Sequence, residues 1–253
     1  MAIADAVLVL LAAFLGGALN AVAGGGSFLA LPALISIGVP AVSANATTAV
    51  ALWPGSVASS FAYRRDLDQP RAVWISLSVA SLAGGVLGAL LLLGTSNTAF
   101  LQLLPWLMLV ASLTFTFGAR FARRREGGHG PSRGAMIGAF ALQLAIATYG
   151  GYFGGGMGIM MLAYFAAIGM TDIHAMNGLK AVLAVIINGV AIVAFVSAGA
   201  IAWTPGLVMI GGAISGGWVG ARLARRVAAA RVRTFVTVVG WGMTAYFFWR
   251  AYH

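Results

Sequence analysis

The chain has no cysteine among its 253 residues. That excludes a disulfide framework, thiolate chemistry and cysteine-ligated metals, and it leaves the redox compartment unmarked. Acidic residues are nearly as scarce, with 5 Asp+Glu against 15 Lys+Arg. All of them, Asp5, Asp66, Asp68, Glu126 and Asp172, fall near an end or in a polar stretch between apolar segments. An apolar interior without carboxylates argues against a cation site and against an Asp/Glu proton relay. The three histidines, His129, His174 and His253, also lie in loops or at the terminus. His174 and Asp172 in "MTDIHAMN" make two metal ligands without a third. An enzyme needs a nucleophile with its base, or a ligand set. With neither, the chain reads as a non-enzyme without a cofactor or metal.

Charge is low overall, at 8%, where soluble domains carry about 25%. What takes its place is apolar: 61% hydrophobic residues and a mean hydropathy of +0.96. Apolar runs near 20 residues recur along the chain, each matching a ~30 Å hydrocarbon core as a helix. A membrane barrel would instead show alternating ten-residue segments. The class is an all-α integral membrane protein. The longest polar stretch, "RFARRREGGHGPSR" (120–133), is too short for a soluble domain. The net charge of +10 reads as topology signals rather than nucleic-acid binding. Ala21-Val22-Ala23 mimics a signal-peptide cleavage site, but "MAIADAV" lacks a basic n-region, so residues 3–23 are expected in the mature protein.

The chain also repeats itself. Shifted by 131, "GGGSFLALPALISIGVP" meets "GGMGIMMLAYFAAIGMT"; shifted by 132, Gly84-Gly85 and Gly88-Ala89 meet Gly216-Gly217 and Gly220-Ala221. Each half reads as five apolar segments: 3–23, 27–37, 43–62, 72–93 and 100–118, then 134–153, 157–169, 175–197, 204–221 and 232–249. The expected organisation is a first transmembrane repeat (1–119), a basic cytoplasmic linker (120–133) and a second transmembrane repeat (134–253). The arginines cluster at 64, 65 and 71, at 120, 123, 124, 125 and 133, and at 222, 225, 226, 231 and 233. All thirteen share one side only if each half crosses the membrane an odd number of times, which inverts the second half. That side is cytoplasmic, and the N-terminus is then periplasmic. Inverted repeats are a known transporter construction, with the site near the midplane between them.

Odd parity requires the first two segments of each half to contribute an even number of crossings. At 11 residues, the second segment cannot span alone. Each pair is therefore expected as a re-entrant hairpin plus three transmembrane helices per repeat. The hairpins turn at Gly24-Gly25-Gly26 before Ser27, and within "GYFGGGMG" (151–158). Broken backbone at membrane depth is tolerated where it is buried in protein or lines a cavity. Two helix N-termini meeting from opposite faces would make an anion site. Gly84, Gly85, Gly88, Gly216, Gly217 and Gly220 read as close-packing positions. Lys180, the sole lysine, is either a site residue or a snorkelling side chain. Asn45, Asn177 and Asn188 either donate to an oxyanion or join helices.

"GGGSFLALPALISIGVPAVSANATTAV", "GYFGGGMG…AIGMTDIHAMNGLKAVLAVIINGVA" and "SAGAIAW…GGAISGGWVGARLARRV" resemble the TauE/SafE sulfite exporter family, also called the sulfonate uptake permeases. The similarity covers nearly the whole chain. It implies membrane transport of sulfur oxyanions such as sulfite, thiosulfate or organosulfonates, with members differing in substrate and direction; the expectation here is an exporter in the bacterial inner membrane, crossing it several times. On the family pattern the substrate path takes in Gly24–Ser27, with Asn45, Thr47 and Thr48. From the second half it takes in Gly155, Gly156, Met157, Gly158, Asn177 and Lys180, with Asn188 beyond them. The expected partners are the anion and the bilayer, with proton coupling and a homodimer left open. The rival reading is an anion or small-solute channel with aquaporin-like half-helices, although paired Asn-Pro-Ala motifs are missing.

Overall fold

A computed structural model describes residues 1–22, 25–62, 70–122, 133–223 and 229–252. Ten helices follow in order: α1 (Ile3–Val22), α2 (Ser27–Ser36), α3 (Ala41–Ala62), α4 (Arg71–Leu93), α5 (Asn97–Ala122), α6 (Arg133–Tyr152), α7 (Met157–Ala167), α8 (Ile173–Ser197), α9 (Trp203–Leu223) and α10 (Ala229–Tyr252). Each coincides with one of the ten apolar segments; α5, α9 and α10 extend a few residues beyond theirs, while α1, α2, α6 and α7 stop one or two residues short at the C-terminal end. An all-helical answer is what a lipid environment demands, because a helix satisfies its backbone internally.

Among the described residues four helical stretches are long and apolar enough to cross a membrane: Ile3–Ala21, Arg71–Leu93, Asn97–Phe117 and Ile173–Ser197. Their outward faces carry large apolar side chains, such as Leu8, Leu11 and Leu15 on α1 and Ile75, Val79 and Leu82 on α4. Helices α2 and α7 are different. At 10 and 11 residues they span only about 15 Å. Their limits are set by backbone chemistry. Gly25 (φ 97°) precedes α2, and Gly38 (φ 85°) with Pro40 ends it. Gly154 and Gly156 (φ 78° and 80°) precede α7, and Gly169 (φ 97°) ends it. A residue with a Cβ resists the left-handed region these turns need.

Packing follows a repeating scheme. α1 lies against α9, and α4 lies against α6; α3 meets α8, and α5 meets α10. Glycines make the first two of these interfaces. A Cβ on Gly88 would strike the carbonyl of Thr148 and sit 2.6 Å from Tyr152 N; one on Gly220 would sit 2.6 Å from Ala18 Cα. Gly84 and Gly85 face α6 and α8, and Gly216 faces Phe14 of α1, in the same backbone-to-backbone manner. Without a hydrophobic driving force in lipid, such close approach is what holds helices together.

Seven of the thirteen arginines, at 64, 65, 123, 124, 125, 225 and 226, lie outside the described residues. Arg71 and Arg133 instead open α4 and α6, and Arg120 falls in the last turn of α5. Arg231 and Arg233 fall inside α10. Arg222 ends α9 with its guanidinium 3.4 Å above the Trp218 ring, a cation–π pair suited to a membrane interface.

Candidate functional site

The two glycine turns come together. Between them lies a cavity of about 180 Å³, small beside the ~300–1,000 Å³ of sites for drug-sized ligands. Gly25 and Ser27 line it from the start of α2, and Gly154, Gly156, Met157 and Gly158 from the start of α7. Neither helix has a side-chain N-cap. The turns themselves take up most first-turn amides: Phe28 N and Leu29 N donate to Gly25 O and Gly26 O, and Met157 N and Ile159 N to Gly154 O and Gly156 O. The amides of Ser27 and Gly158 have no partner among the described residues, and the positive dipole ends face the cavity with them.

The remaining walls are α3, through Ala49, Leu52, Trp53, Ser56 and Ser59, and α8, through Asn177, Lys180, Ala181, Ala184 and Asn188. Asn20 and Ala21 close it at the end of α1, and Phe153 beside the α7 turn. Pro54 sits inside α3 at this level and removes one helical donor. The Trp53 indole N–H donates to Val185 O at 3.2 Å and ties α3 to α8 beside the cavity.

Lys180 is the cavity's cation. Its stem crosses the first turn of α7, where a Cβ on Gly158 would lie 3.3 Å from Lys180 Cδ. Its Nζ donates to Asn177 Oδ1 at 2.8 Å, and Asn177 Nδ2 donates to Ile173 O at 2.8 Å. This relay aims the ammonium and leaves two of its three donors free. Ser27, Ser56 and Asn188 line the cavity without a hydrogen-bond partner among the described residues. No carboxylate among the described residues lines it. Asp172 is exposed and caps α8 instead, accepting from His174 N at 2.8 Å. Among the described residues, a lysine, hydroxyl and amide donors and two helix N-termini, with no acid beside them, are the chemistry that suits a small anion.

Of the residues singled out from the sequence, eight line this cavity: Gly25, Ser27, Gly156, Met157, Gly158, Asn177, Lys180 and Asn188. Gly24 lies outside the described residues. The others are placed elsewhere. Gly26 packs against Gly16 so that α1 and α2 touch through backbone. The carbonyl of Gly155 accepts from Tyr149 OH at 2.8 Å. Asn45 Nδ2 donates to Tyr152 O at 2.8 Å, and Thr47 Oγ1 accepts from Ala202 N at 2.9 Å. Both are buried and tie α3 to other segments outside the cavity wall; Thr48 is buried as well, with its Oγ1 unpartnered. Asn20, Trp53, Ser56 and Ser59 were not anticipated. The repeat held a signal for Ser56, since it lies 132 positions before Asn188.

The family model described as "Sulfite exporter TauE/SafE" matches residues 9–247. The chain belongs to the TauE/SafE family. This TauE/SafE chain is 29% identical over 236 residues to the "Probable membrane transporter protein" of Haemophilus influenzae, covering 92% of the chain and 90% of that protein. "Probable membrane transporter protein ORF9" of a Sinorhizobium species is 29% identical over 231 residues, 90% and 86% of the two chains. "Probable membrane transporter protein YfcA" of Escherichia coli is 24% identical over 236 residues, 92% and 86%. No solved structure matches. With its apolar helices, the TauE/SafE chain is a multi-pass membrane transporter.

Proposed function

We propose that the protein carries a small sulfur oxyanion (sulfite, thiosulfate or an organosulfonate) across the bacterial inner membrane by alternating access, with export as its direction. The observation that carries this reading is the Lys180 ammonium, held by Asn177 in a cavity between two helix starts without side-chain caps, where no described carboxylate accompanies it. A sulfite or sulfonate head offers three acceptor oxygens, which the two spare Lys180 donors, the amides of Ser27 and Gly158 and the side chains of Ser27 and Asn188 can satisfy together. A single cation holds such an anion loosely enough for release. The relatives' printed names support transport, and the family's printed description supports a sulfur oxyanion and export.

In this reading α1–α2 and α6–α7 are re-entrant hairpins from opposite faces of two inverted repeats. The brevity of α2 and α7 supports it. So does the exchange of α1·α9 for α4·α6 when first-half helices are swapped for their second-half counterparts. The arginine clusters then face the cytoplasm.

Thermal unfolding of the purified protein with sulfite, thiosulfate, sulfate, sulfoacetate, taurine, chloride and zinc tests the proposal. A ligand at 100 times its Kd stabilises by about 2.7 kcal/mol. A shift with one or two sulfur oxyanions is expected. A shift with zinc alone, or with no anion, overturns it.

A further inference from the structure

The cavity is symmetric at its centre and asymmetric at its ends. α3 and α8 begin 132 residues apart, at Ala41 and Ile173. At that offset Ala49 pairs with Ala181, Leu52 with Ala184 and Ser56 with Asn188, and all six residues line the cavity. Beyond this centre the match fails. Asn177 and Lys180 line the cavity, while their counterparts Asn45 and Thr48 are buried at 3% and 2% exposure. Conversely Ser59 lines it, while its counterpart Ala191 is buried. The cavity thus runs from the shared centre toward the C-terminal end of α3 and the N-terminal end of α8, and is closed the other way.

Two features of the closed end are unexplained by packing. Asn45 Oδ1 and Thr48 Oγ1 are both buried without a hydrogen-bond partner. Such orphans in a packed interior call for a reason, because each has surrendered water for nothing. Asn45 also continues the lining stripe of α3. Positions 45, 49, 52, 56 and 59 follow the three-and-four spacing of one helix face. Thr48 borders that stripe, whereas Thr47 points to the opposite side, where Ala202 N occupies it.

We infer that Asn45 and Thr48 form a second anion subsite, the repeat counterpart of Asn177 and Lys180, which opens to the periplasm when the other closes. Its ligand is the same small oxyanion, met in place of a cation by the Thr48 hydroxyl, whose oxygen is unpartnered, and by Asn45 Nδ2 once it leaves Tyr152 O; the Asn45 Oδ1 acceptor takes no part. The Asn45–Tyr152 hydrogen bond is the outer gate, since it holds α3 against the turn that carries Phe153. This inference rests on the transport reading above for its sidedness.

The test uses the absence of native cysteine. Single variants Thr48→Cys, Asn45→Cys and, as control, Thr47→Cys are placed in intact cells and exposed to a membrane-impermeant methanethiosulfonate bearing a sulfonate. T48C and N45C should be modified from outside at least ten times faster than T47C. SDS-solubilised samples, in which all three label, establish that each thiol is present. Two variants guard against one failing to fold, and monodisperse elution of each is checked. Modification of both no faster than T47C, in chains that still move a sulfur oxyanion, overturns the subsite and leaves the transport reading intact. Labelling as expected without any oxyanion flux would instead overturn the substrate and keep the opening.

Discussion

Ser112 Oγ and Thr244 Oγ1 lie 3.2 Å apart, and 132 residues separate them in the chain. That separation equals the offset of the proposed repeat, under which each residue meets its own counterpart across the α5·α10 interface. A contact between equivalent positions is the mark of a two-fold relation, in which the same patch serves both partners. The bond is buried in both residues, and Thr244 also donates to Gly240 O at 2.7 Å. The Trp53–Val185 bond between α3 and α8 spans the same 132 residues.

From that pair comes the first prediction. The double variant Ser112→Cys/Thr244→Cys, with a protease site inserted in the 123–132 linker, should hold its two halves together on a non-reducing gel after oxidation. Each single variant should release them. No cross-link in the double variant would place α5 and α10 apart and remove the two-fold relation from the argument.

The helices were legible because lipid leaves the chain few choices: a long apolar run must be a helix, and a glycine cluster within one must be a break. The same logic found Gly25, Ser27, Gly156 and Gly158 at the cavity. It does not sort residues where one helix carries polar side chains on more than one face. Asn45, Thr47 and Thr48 are contiguous with a lining helix, yet Thr47 faces α9 and the other two sit at the closed end. Only packing separates a hydroxyl that joins helices from one that meets a ligand. Serine in an apolar run, such as Ser59, is a weak sign of a site because it bonds its own backbone readily, as Ser60 does to Val57 O.

Lys180 provides the second prediction. Lys180→Met keeps a stem to cover the first turn of α7 and removes the cation. Hydrogen bonds to charged groups contribute about 1.5–3 kcal/mol, so anion affinity should fall about 10- to 100-fold, with thermal stability of the unliganded protein little changed. Ligand-dependent unfolding measures both. Unchanged affinity would take Lys180 out of the site.

Thr47 and Asn188 should separate stability from binding. Thr47→Val leaves Ala202 N without its acceptor, and interhelical hydrogen bonds in membranes average about 0.6 kcal/mol. It should lower the unfolding temperature slightly and leave anion affinity alone. Asn188→Ala, at a cavity-lining residue with no partner to lose, should do the reverse. A loss of affinity in Thr47→Val equal to that in Asn188→Ala would mean that Thr47 reaches the anion.

Two glycines on one helix give the last prediction. A Cβ at Gly220 would press on Ala18 Cα at 2.6 Å and Ala18 O at 2.7 Å, both backbone atoms that cannot rotate away. A Cβ at Gly211, also on α9, meets nothing within 4 Å. Overpacking costs about 1–3 kcal/mol, while alanine in a helix interior gains about 0.5–1 kcal/mol over glycine. Gly220→Ala should therefore lower the unfolding temperature and weaken the α1·α9 contact, and Gly211→Ala should hold or raise it. Propensity alone would have both substitutions stabilise, so opposite signs at two positions of one helix isolate the packing contribution. Equal and favourable shifts would mean that α1 and α9 stand further apart than glycine contact requires.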